Sequence, residues 1–104
     1  MQENDPLQRA IATARAGHEL TARDMFLDII KAQPQNELAW IWLTGLFDNL
    51  EDCIYACERT LEINPNNAPA RQYLSQLLVR KKKNQKMEWL MLKNRHGQRV
   101  KGLN

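Results

Sequence analysis

The feature that most constrains this chain is that it repeats itself. Ala22, Phe26, Ile29, Pro34, Asn36 and Ala39 fall on Cys53, Cys57, Thr60, Pro65, Asn67 and Ala70 at a constant shift of 31 residues. The same shift carries Leu43 onto Leu74 and Leu46 onto Leu77, so the match crosses a proline turn and reaches into the segments on both sides. Self-similarity at a period of this size belongs to stacked structural units that each bury an apolar face against the next.

The punctuation between apolar stretches is that of short helices. Asp5-Pro6 supplies an N-cap and a proline at the first helical position, and Leu7, Ala10, Ile11 and Ala14 recur at helical spacing up to Gly17. Leu20, Ala22, Met25, Phe26, Ile29 and Ile30 mark a second helix, which Pro34 ends near Ala32. Asn36 caps a third, with Leu38, Ala39, Ile41, Trp42, Leu43, Leu46 and Phe47 on it. Asn49 and Asp52 form the capping pair of a fourth, over Cys53, Ile54, Ala56, Cys57, Leu61 and Ile63, closed by Asn64-Pro65. Asn67 and Pro69 start a fifth, through Ala70, Tyr73, Leu74, Leu77 and Leu78, with continuation to about Lys93. No stretch alternates as a strand does, so the expected class is all-α, with Ala10, Ala22, Phe26, Ile29, Ala39, Leu43, Cys53, Cys57, Leu61 and Leu74 inside.

Composition narrows function mainly by exclusion. Cys53 and Cys57 stand alone, far from His18 and His96, which is too few ligands at the wrong spacing for zinc, so they read as two small buried apolar side chains. No nucleophile with its base, paired carboxylates or phosphate-cradling glycine loop is present, and the expectation is a non-enzyme without metal or cofactor. The first twenty residues lack a secretory pattern, and the apolar-rich run from Leu38 to Phe47 is far shorter than the roughly 20 residues of a bilayer span, so a cytoplasmic location is expected. The net charge of +3 conceals two halves of opposite sign. Residues 1–66 carry five basic against eleven acidic side chains, a net −6, and residues 67–104 carry ten against one, a net +9.

Trp40, Leu43, Gly45, Phe47, Ala22, Phe26, Pro34 and Pro65, with Gly17 in the first turn, resemble the tetratricopeptide repeat pattern over roughly residues 5–80. The second repeat is three residues short of the family's 34, Gly45 lies one place off the family glycine, and Cys53 and Cys57 replace an alanine and an aromatic. The resemblance implies a right-handed superhelix of two antiparallel helical hairpins plus a C-terminal capping helix. The corresponding domains are residues 1–80 for the repeat unit and 81–104 for a basic extension. It further implies a concave groove that includes Leu7, Ile11, Ile41, Trp42, Asp48, Gln72, Tyr73 and Gln76. The carboxylate clamp of some family members is absent, because Leu7, Ile11, Trp42, Pro69 and Tyr73 occupy its places.

The function expected from this resemblance is protein binding. The proposed contacts are Leu7, Ile11, Ile41, Trp42, Tyr73 and Gln76, with a partner peptide or helix in the groove and Trp42 as an aromatic anchor. The alternative is nonspecific nucleic-acid binding by Arg80, Lys81, Lys82, Lys83 and Lys86, joined by Lys93, Arg95, Arg99 and Lys101. An acidic membrane surface is a weaker candidate. Trp89, Leu90, Met91 and Leu92 form an apolar run that no single helix orientation hides. It is expected either to fold back over the stack or, in preference, to join two molecules as a homodimer.

Overall fold

The computed structural model describes the backbone of residues 5–103 and the side chains of residues 5–94. Five helices follow in chain order: α1 (Pro6–Arg15), α2 (Glu19–Ala32), α3 (Glu37–Leu43), α4 (Leu50–Ile63) and α5 (Ala68–Leu103), with no strand among the described residues. The all-α expectation holds.

Local chemistry accounts for most helix ends. Asp5 Oδ1 accepts from the Leu7 amide at 3.0 Å ahead of Pro6, which starts α1. Gly17 sits at φ +90° and stops that helix, with the Gly17 amide bonded to the Ala14 carbonyl and the His18 amide to the Thr13 carbonyl. This is the paired bonding that a left-handed residue after a helix permits, and glycine adopts it without a Cβ penalty. Asn36, Asn49 and Asn67 cap α3, α4 and α5 in the same way, their Oδ1 atoms accepting from the amides of Ala39, Asp52 and Ala70 at 2.8–3.0 Å.

Every substantial helix contact joins neighbours in the chain: α1 with α2, α2 with α3, α3 with α4, α4 with α5. Burial follows the 31-residue register. Ala22 and Cys53, Phe26 and Cys57, Ile29 and Thr60, and Ala39 and Ala70 are buried at both places. One apolar cluster joins α1, α2 and α3 through Ala10, Ile11, Ala22, Phe26, Ile29, Ala39, Trp40 and Leu43, with Ala56 from α4. A second joins α4 to α5 through Cys53, Ile54, Cys57 and Leu77, and Phe47 packs on both. Glu37 at the start of α3 ties the two turns together, its Oε2 accepting from Asn64 Nδ2 at 2.8 Å and Asn67 Nδ2 at 2.7 Å.

Three expectations need correction. Leu61 and Leu74 are half-buried rather than inside. Thr60 takes the enclosed place, its hydroxyl donating to the Ala56 carbonyl at 2.8 Å, while Leu61 shares the half-buried setting of Ile30, one repeat earlier. Next, α3 ends at Leu43 rather than reaching Phe47. Three successive i to i+3 bonds, from Thr44, Gly45 and Leu46 to Ile41, Trp42 and Leu43, tighten the chain there and turn it toward α4.

The C-terminal segment also does not fold back as a cap. α5 runs unbroken past the expected boundary at residue 80, because residues 79–96 contain neither proline nor glycine and consist mostly of good helix formers. Its first part packs on α4 as far as Leu77. Residues 82–94 are exposed all round, giving the molecule extents of 74 × 29 × 21 Å.

Candidate functional site

Reading the stack from α1 to α5, each helix reverses the last, so the α1–α2 turn, the end of α3 and the start of α4 lie at one end of the stack. There Trp42 stacks on Phe26 with ring centroids 5.7 Å apart and planes 10° from parallel, and the Arg15 guanidinium lies 5.9 Å from its ring. Ile41, Trp42, Thr44 and Gly45 line a shallow hollow of about 240 Å³. Gly45 leaves space over it, since a Cβ built there meets nothing nearer than the Trp42 carbonyl at 4.0 Å.

Trp40 points elsewhere, as its separation of two residues from Trp42 requires. It is 7% exposed, donates its indole N–H to the Pro34 carbonyl at 2.8 Å, and meets Tyr55 edge-on and the Arg59 guanidinium at 5.6 Å.

Of the expected groove residues, Ile41 and Trp42 are brought together, and both are half-buried. Leu7 packs beside the first cluster and Ile11 belongs to it at 8% exposure, so Ile11 backs the surface rather than lining it. Tyr73 is half-buried in the second cluster, where burial pushes its hydroxyl pKa up, and Gln76 is exposed on α5.

A larger cleft of about 560 Å³ lies at the opposite end of the stack, between Pro6, Leu7 and Arg9 on one side and Met25, Asp28, Ile29 and Ala32 on the other. Sequence reasoning missed it except for Leu7. Its signal was the row Met25, Asp28, Ile29 and Ala32, which share a helix face at i, i+3, i+4 and i+7.

The remaining chemistry is sparse. Burial raises the Cys57 thiol pKa to about 11, and burial and then the neighbouring Asp52 raise that of Cys53, so neither supplies thiolate near neutrality. Among the described residues no three His, Cys, Asp or Glu side chains gather as a metal site, and no helix is long and apolar enough to cross a membrane. Acidic side chains collect where α5 leaves the stack: Asp48 pairs with Arg23 at 3.2 Å and Glu51 with Lys81 at 3.3 Å, and Asp52 is exposed beside them.

Beyond that corner, Lys82, Lys83 and Lys86 ring the exposed helix, followed by Met87, Trp89, Leu90, Met91 and Leu92. Lys93 Nζ then lies 4.8 Å from the Trp89 ring centre. The side chains of Arg95, Arg99 and Lys101 lie outside the described residues. Comparison with protein-family models, curated proteins and solved structures gives no match.

Proposed function

We propose that this chain is a tetratricopeptide-like helical-repeat module whose work is to hold another protein surface, without catalysis. The observation that carries the reading is the nearest-neighbour stacking of five helices with burial repeated every 31 residues. Such stacks present surface continuously from unit to unit, and they favour recognition of extended or helical partners. The right-handed superhelix and its concave groove belong to this proposal, with Ile41 and Trp42 as its anchors. A rigid aromatic backed by Phe26 on one side and open to a hollow on the other loses little freedom when a partner covers it.

The test is capture from the native cell with the full chain as bait, with and without nuclease, comparing the parent with Trp42→Ala. A protein partner that survives nuclease and is lost with Trp42→Ala supports the reading, provided circular dichroism shows the variant folded. Undiminished capture by the folded variant refutes the role of this face. Loss of all bound material on nuclease treatment favours nucleic acid at Arg80, Lys81, Lys82, Lys83 and Lys86 instead.

A further inference from the structure

The projecting half of α5 is a helix in search of a cover. Met87, Trp89, Met91 and Leu92 are 53–63% exposed and Leu90 36%, and together they encircle the helix over less than two turns. A helix apolar on all sides is stable in water only when contacted from more than one side. The chain exposes 7798 Å², where a compact protein of its mass exposes roughly 6,100 Å². The excess of about 1,700 Å² is twice the roughly 800 Å² that each partner of an ordinary stable complex buries.

Charge decides what the cover can be. The apolar collar has Arg80, Lys81, Lys82, Lys83 and Lys86 before it and Lys93, Arg95, Arg99 and Lys101 after it. Two collars laid side by side, parallel or antiparallel, bring cation against cation on both flanks, and like-charge juxtaposition opposes that pairing. The surface that fits has an apolar seat with acidic surroundings. The chain carries one itself: the hollow of Ile41, Trp42 and Gly45, at the end of the stack that also holds Glu19, Asp48, Glu51 and Asp52, in a half of net −6.

The arm cannot reach its own hollow, because α5 runs straight away from that end. A second molecule, inverted about a two-fold axis perpendicular to α5, faces its own acidic end toward the first. The arm from residue 82 to 103 is about 33 Å long and α4 about 21 Å, so each arm is long enough to lie along the whole of the other stack.

We infer that the chain is an arm-exchanged homodimer, in which the Met87–Leu92 collar of each copy occupies the Ile41–Trp42–Gly45 hollow of the other and the basic run lies between the two acidic ends. The inference rests on the proposed binding role of that hollow and names its occupant as a second copy of this chain.

The experiment is sedimentation and light scattering on the full chain and two full-length variants, each checked for helicity. Leu90→Glu with Met91→Glu spoils the arm and leaves the stack untouched. Gly45→Arg spoils the hollow, at a position where an added side chain meets no neighbour of its own fold. The parent is expected at about twice the 12.2 kDa chain mass and each variant alone at the monomer mass. Their equimolar mixture is expected to regain dimer, since the good arm of Gly45→Arg meets the good hollow of the other variant.

A parent that stays monomeric at micromolar concentration overturns the inference, whether or not it retains duplex DNA. So does a Gly45→Arg protein that remains dimeric, or a mixture that recovers nothing, because both mean that arms pair with arms. Trp42-dependent capture of a different protein by a monomeric chain leaves the proposed function standing while the dimer falls.

Discussion

Phe26 is the residue on which the stack most depends, and its removal can be costed. The ring is fully enclosed between α1, α2 and α3 and carries the Trp42 indole on its face. Truncation to alanine removes the apolar transfer gain and leaves a cavity that helices locked by caps on either side close only in part. The expected loss is about 3–5 kcal/mol, of which the ring contact accounts for roughly 0.5–1.5 kcal/mol. At roughly 0.05–0.15 kcal/mol per residue, the packed part from Asp5 to Lys81 has only about 4–12 kcal/mol to lose.

Urea unfolding followed by circular dichroism checks the figure. With a slope of about 1–1.5 kcal/mol per molar for a domain of this size, the Phe26→Ala midpoint falls by about 2–5 M. Phe26→Leu keeps most of the volume and should lose no more than roughly 1.5 kcal/mol. A Phe26→Ala midpoint within about 0.5 M of the parent at unchanged slope would mean that the first cluster is not the seat of stability.

Two other side chains give sharp expectations. Glu37 has its carboxyl pKa held below the ordinary 4.5 by hydrogen bonds from Asn67 and then Asn64. Its contribution is therefore complete above the unfolded value and lost as pH falls through the lowered folded value. Glu37→Gln should flatten the decline of the urea midpoint below pH 4.5, and an unchanged acid limb would count against the link between the turns. Cys57, with its thiol pKa raised by burial to about 11, favours the neutral form in the fold. Stability linked to it is full below the ordinary 9.0 and declines as pH rises toward 11. A thiol-specific disulfide reagent at pH 8 should modify it only as fast as the stack opens, and rapid stoichiometric reaction of native protein would refute its burial.

Much of the fold was legible because its determinants are local. Asp5-Pro6, Gly17, Pro34, Asn36, Asn49, Pro65 and Asn67 act on backbone groups within a few residues of themselves, and each appears as a cap or break where the sequence places it. The buried row Ala22, Phe26 and Ile29 and its echo Cys53, Cys57 and Thr60 were legible too, since a helix face is set by spacing alone.

Tertiary structure decided what depends on which faces become covered. Ile11 and Leu7 share a helix face by spacing, yet only the approach of α2 and α3 makes Ile11 core and leaves Leu7 at its edge. The same approach opens the cleft between Leu7 and Met25, whose walls lie on separate helices and have no common signature in the chain. The end of α3 at Leu43 reflects the turn needed to bring α4 alongside, which no residue type between Thr44 and Phe47 announces. The course of α5 is the clearest division. Its residue types make it a helix, but whether that helix returns over the stack or leaves it depends on contacts between distant segments, and its Met87–Leu92 collar ends uncovered because α5 outruns α4, its only substantial packing partner.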